Sequence, residues 1–139
     1  MSTTQPIRSK QLLHDFKEYY LTKQPNSRNY TLILIGLNTA LRINDILHLT
    51  WGDVYCTEHS RFYTHLLITE KKTEKETRIL INRELQETLL SYRKTQTSIA
   101  DTDYLFPSPR KADSPLSRYQ AYRIVRKAAE AVGIEDVIR

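Results

Sequence analysis

The apolar positions of this chain keep a helical period at both ends and lose it in the middle. From Ser9, residues Leu12, Leu13, Phe16, Tyr19 and Tyr20 recur three and four apart, which predicts a helix to about Thr22. Gln24-Pro25-Asn26-Ser27 breaks it and offers Asn26 or Ser27 as the cap of a second helix. Tyr30–Leu41 is almost continuously apolar, and its length and upstream cap favour a buried helix over a buried strand. Ile43, Ile46, Leu47 and Leu49 extend the period into a short helix ending near Trp51. The pattern then changes. Arg61–Glu70 and Arg78–Ile81 are rich in aromatic and branched residues, and they flank the wholly polar stretch 71–76 as arms flank a hairpin tip. Trp51–Tyr55 is expected to add a third, shorter strand. Asn82 caps a helix whose stripe is Leu85, Leu89 and Tyr92. Residues 101–115 carry Pro107, Pro109 and Pro115 and no period, so they predict a loop anchored by Tyr104-Leu105-Phe106. The last helix starts near Leu116, lines up Ala121, Val125, Ala128 and Val132 on one face, and stops at Gly133. The expected fold is mixed α+β, mainly α-helical, with one small antiparallel three-stranded sheet and a flexible polar tail over residues 1–8.

Composition narrows the class without choosing within it. A chain of 139 residues fits one domain with a proper core, and 40% hydrophobic against 27% charged residues excludes an intrinsically disordered chain. The longest apolar stretch, Leu32–Leu37 around Gly36, is far short of the roughly 18 residues of a membrane span. Met1-Ser-Thr-Thr-Gln-Pro lacks the apolar centre of a secretory signal. A single cysteine, Cys56, rules out an internal disulfide framework and points to a reducing, cytoplasmic compartment. His14, His48, His59 and His65 share no ligand-like spacing with each other or with Cys56, so no metal and no cofactor are expected. The net charge of +5 suits a polyanionic partner but does not decide for one.

A motif must decide it. Arg42 stands directly after a long apolar run and before another, which predicts a partly desolvated guanidinium in need of an anion. Asp45, three residues along, is the local candidate for an ordinary ion pair. The whole segment 39–54 resembles the first arginine box of the tyrosine site-specific recombinases, the phage integrase family. It matches T-G-x-R-x-x-E-L-L-x-L-x-W-x-D at Thr39, Arg42, Ile46, Leu47, Leu49, Trp51 and Asp53. It departs at Ala40, where the family has Gly, and at Asp45, which keeps the carboxylate of the family's Glu. The hairpin tip Lys72-Thr-Glu-Lys75-Glu76-Thr77-Arg78 is similar to the family's lysine hairpin, with one extra residue before the arginine. That insertion leaves Lys71, Lys72 and Lys75 as candidates, of which Lys72 is preferred; taken by itself the tip is a solvated charged turn. Tyr104–Arg110, then Ser114–Ser117 opening a helix that ends Ala129–Ile134, resembles the approach to the family's His-x-x-Arg box.

The resemblance implies a partial tyrosine-recombinase catalytic domain over residues 9–139. Its family breaks and rejoins double-stranded DNA through a 3′-phosphotyrosine link, without metal or ATP, in assembly with other recombinase protomers. Arg42 would bind two non-bridging phosphate oxygens, Lys72 would protonate the departing 5′-oxygen, and Asp45 would brace Arg42. DNA contacts are implied for Lys71, Lys75 and Arg78 on the hairpin, and for Ser117, Arg118, Tyr119 and Arg123 on the last helix. The last helix reads equally as a solvated basic face opposite its apolar stripe. None of the four histidines is followed at the third position by arginine, and none of the nine tyrosines sits where the family's nucleophile would. The expectation is a bacterial or phage-derived domain that stops before its second box and does not cleave DNA alone. Two rival classes remain: a non-catalytic DNA-binding regulator using the last helix, with Arg42 merely paired, and a helical protein-interaction module.

Overall fold

The structure, a computed structural model, describes residues 10–70, 72–97 and 99–134; the expected tail and Lys71 lie outside them. The first helix, α1 (Lys10–Glu18), runs directly into a π-helix over Tyr19–Lys23 rather than continuing as one regular helix. The wider turn narrows the angle between successive side chains, so the neighbours Tyr19 and Tyr20 both face the core. Their rings meet edge to face at 4.9 Å, and the Tyr20 hydroxyl donates to the Ile124 carbonyl at 2.6 Å. Asn26 accepts from the Asn29 N–H at 3.0 Å and opens α2 (Ser27–Thr39). Leu32, Ile33, Leu34 and Ile35 are all buried, so this part of the helix is enclosed on every side. This central helix packs most extensively against α5 (Arg83–Lys94), whose cap Asn82 accepts from the Leu85 N–H at 2.9 Å.

The expected three-stranded sheet is not formed. Its place is taken by two antiparallel two-stranded ribbons, β1 (Tyr55–Cys56) with β2 (Arg61–Phe62) and β3 (His65–Thr69) with β4 (Glu76–Leu80). Trp51–Val54, expected as a strand, is the short helix α4, which follows α3 (Ile43–Leu47). The reason lies in the backbone donors. Asp53 accepts from the Thr50 N–H at 2.8 Å. The Trp51 and Gly52 N–H groups, unpaired at any helix start, donate to the Asp103 and Asp101 carbonyls at 2.9 Å. A loop distant in sequence thus supplies what a strand partner would have. The long β arm also divides at Tyr63-Thr64, where the Tyr63 N–H turns aside to the Val54 carbonyl at 2.9 Å.

The proline-bearing segment is a loop, as expected, and its anchors Leu105 and Phe106 are wholly buried. Helix α6 (Arg118–Ala131) is capped by Ser117, buries Ala121, Ala128 and Ala129, and packs on α3. It ends at Gly133, whose φ of 84° is left-handed backbone that glycine adopts without strain. Among the described residues no helix is long and apolar enough to cross a membrane.

Two buried phenols make the fold sensitive to alkali. Burial pushes the hydroxyls of Tyr20 and Tyr92 up to about 12. Their neutral forms therefore favour the folded state. That contribution is complete below the ordinary phenol value of about 10 and is lost as pH rises through the folded value. In an ultraviolet phenolate titration, these two of the nine tyrosines are expected to ionise last, together with loss of far-UV dichroism. Full ionisation near pH 10 with the fold intact would contradict the placement of both rings.

Candidate functional site

Between α2 and α3 the chain turns sharply. Ala40 holds a left-handed backbone (φ 57°, ψ 20°), which costs an L-residue about 1 kcal/mol and which glycine would adopt freely. That explains the glycine of the resembled pattern at this position. Arg42 follows in extended conformation at the head of α3, where its carbonyl accepts the Asp45 and Ile46 N–H groups at 3.0 and 3.1 Å. The partial desolvation expected of Arg42, and its ordinary alternative of a pair with Asp45, need correction. Arg42 is exposed, and the one ion pair among the described residues joins Lys17 to Glu84 instead. The i,i+3 argument for an Arg42–Asp45 pair takes both residues as helical, whereas Arg42 is the extended cap of α3 and only Asp45 lies in its first turn.

At the hairpin tip the Glu70 N–H donates to the Lys75 carbonyl at 2.9 Å. The Glu74 N–H donates to the Glu70 carbonyl at 2.8 Å, with Glu74 itself at φ 55°. Lys72 and Lys75 are exposed on the tip, and Arg78 is exposed on β4. No side-chain hydrogen bond or ion pair among the described residues joins Arg42, Asp45 and Lys72.

On α6 the Ser117 hydroxyl accepts from the Gln120 N–H at 3.1 Å, so its first commitment is to the helix cap. Arg118 lies 5.9 Å from the Tyr122 ring and Arg123 lies 5.8 Å from the ring of Tyr119, which is 70% exposed. Cations laid on aromatic faces at the surface form a surface suited to phosphate and flat π-systems. Beside them a groove of about 590 Å³ runs between α6 and the start of α2, bordered by Arg28, Tyr119, Arg123, Arg126 and Lys127. The sequence reading passed over Arg28. A signal was there, since the first turn of α2 holds this cation and no acid, against the preference of a helix N-terminus. Helix α6 likewise begins with Arg118 and no acid.

A mainly helical α+β domain with exposed, unpaired cations at the head of α3, on a hairpin tip and along a groove presents a surface built for a polyanion. Comparison with known proteins gives that surface a lineage: the chain belongs to the phage integrase family, whose model matches residues 5–139. It is 42% identical over 137 residues to the probable integrase/recombinase YoeC of Bacillus subtilis (strain 168), covering 99% of this chain and 69% of that protein. The fold is similar to the crystal structure of XerA recombinase, with a TM-score of 0.73 at 19% identity, over 99% of this chain and 46% of that one. It is also similar to the Tn1549 transposon integrase in complex with circular intermediate DNA, with a TM-score of 0.60 at 19% identity, over 94% of this chain and 46% of that one. The chain thus spans under half the length of these two structural relatives.

Proposed function

We propose that this chain is the DNA-binding first part of a site-specific tyrosine recombinase domain, acting on double-stranded DNA beside other protomers in the cytoplasm. The observation that carries the reading is Arg42: exposed at the head of α3 and free of any ion pair among the described residues, within a chain of the integrase family. A planar guanidinium so presented can take two oxygens of one phosphate, and its charge is worth most where negative charge builds up in phosphoryl transfer. Lys72, on the exposed tip, is assigned the proton for the leaving 5′-oxygen. Asp45 is assigned the orienting of Arg42. Lys71, Lys75, Arg78, Ser117, Arg118, Tyr119 and Arg123 are assigned to DNA contact. The relative solved with DNA supports that partner. These 139 residues contain no His-x-x-Arg, so strand cleavage by them alone is not expected.

Fluorescence anisotropy with a labelled duplex tests the reading. Binding should weaken with salt, and Arg42→Ala should weaken it roughly tenfold, as loss of one charge-assisted phosphate contact of about 1.5 kcal/mol does. Absence of binding at low salt would overturn the proposal. Binding indifferent to Arg42→Ala but lost with Arg118→Ala and Arg123→Ala would favour the regulator instead, since those cations sit together on α6.

A further inference from the structure

The basic groove reaches well beyond the residues assigned above. We propose that it seats the sugar-phosphate backbone of one DNA strand, with Arg28 on one wall and Lys127 on the other as phosphate contacts. The inference rests on the DNA-binding reading and extends its footprint from the first turns of α6 across to α2.

The groove's charge is unspent. Arg28, Arg123, Arg126 and Lys127 border it, Glu130 is its one carboxylate, and none of these cations makes an ion pair among the described residues. Arg28 is held by its own neighbour: Nε donates to Asn29 Oδ1 at 2.9 Å, which orients the guanidinium and leaves both terminal nitrogens for a ligand. Tyr119, Arg123 and Lys127 follow one another at four-residue steps, so they form a single stripe with about 6 Å between successive side chains. A stripe of that kind fits an anion repeated along a line better than a single small anion. The floor is rigid, because the Tyr20 hydroxyl ties the π-helix to the Ile124 carbonyl in the middle of α6. A ligand therefore meets walls already in place. A second copy of this chain is a poor occupant on charge grounds, being itself +5, whereas duplex DNA offers closely spaced phosphates.

The test uses the 139-residue chain, a labelled duplex and anisotropy across a salt series. Each lost phosphate contact lowers the magnitude of the slope of log K against log salt by about 0.9. Arg28→Gln and Lys127→Gln should each do so, weakening binding alike on unrelated sequences, and the double variant should lose about 1.8. Arg28→Lys should keep the slope, and Lys94→Gln, a cation on α5 away from the groove, should leave it unchanged. Should Arg28→Gln fail to fold by far-UV dichroism, the exposed Lys127→Gln decides alone. Wild-type binding with unaltered slopes in the groove variants overturns the groove and leaves the DNA reading standing. So does a change in self-association in place of a change in slope. No wild-type binding at low salt overturns the DNA reading, and the groove with it.

Discussion

Phe106→Ala is expected to lower folding stability by about 3–5 kcal/mol, the usual cost of emptying a buried aromatic site. For a domain with a total of roughly 5–15 kcal/mol this is a large share. Phe106 has no exposed surface, and its ring stacks on Tyr92 with centroids 6.0 Å apart, while Tyr92 in turn meets Trp51 at 5.6 Å. The same segment is bonded as well as packed. The Tyr92 hydroxyl donates to the Leu105 carbonyl at 2.6 Å, the Leu105 N–H to the Leu49 carbonyl at 3.0 Å, and the Leu116 N–H to the Phe106 carbonyl at 2.7 Å. This irregular loop has only the isolated bridges Thr50–Tyr104 and Pro107–Pro115 in place of a helix or sheet, so its path depends heavily on its buried anchors. The chain passes from it directly into the cap of α6. Urea denaturation should show the loss as a lower midpoint with the slope preserved. Tyr92→Phe, which removes one buried donor and keeps the ring, should cost about 1–2 kcal/mol. A Phe106→Ala protein within 1 kcal/mol of wild type would mean that the loop is held elsewhere.

What could be read from the sequence was local. Asn26 and Asn82 are caps because their side chains satisfy donors three residues away, and the sequence displays that spacing directly, whereas Ser117, expected inside the first turn of the last helix, is its cap. The hairpin was legible for a similar reason: a polar run between two β-rich runs admits few other shapes. Failures came mainly where a distant partner decides. At Trp51–Val54 the local signal, the capping box of Thr50 and Asp53, was overlooked, while the Asp101 and Asp103 carbonyls that receive the helix's first N–H groups lie about fifty residues away. The π-helix bears a hydroxyl bonded to Ile124, more than a hundred residues along. At the site the same division holds. Arg42 was legible as a residue type in a motif, but its place as the exposed, extended cap of α3 after the left-handed turn at Ala40 was not. Arg28 became visible only when the start of α2 was seen beside α6.

Ala128→Leu should cost about 1–3 kcal/mol and weaken DNA binding without altering any charge. Ala121 and Ala128 have no exposed surface and Ala129 has 3%, so α6 lies on α3 through methyl groups with no room for a longer side chain. Leucine is almost as good a helix former as alanine, so the cost measures packing rather than propensity. Three added heavy atoms must lift the helix or displace its neighbours. If the helix lifts, it carries Tyr119, Arg123 and Lys127 with it and strains the bond from Tyr20 to the Ile124 carbonyl. The proposed DNA contacts then lose their register while their number is unchanged. Affinity should fall at every salt concentration, with the slope against log salt falling less than in the charge-removing variants. Val125→Leu, at a half-buried position on the same helix, should disturb stability less. Paired urea melts and anisotropy titrations separate these effects. A fully stable Ala128→Leu protein with wild-type affinity would show that α6 is not close-packed on α3, and that its wall of the groove is free to move.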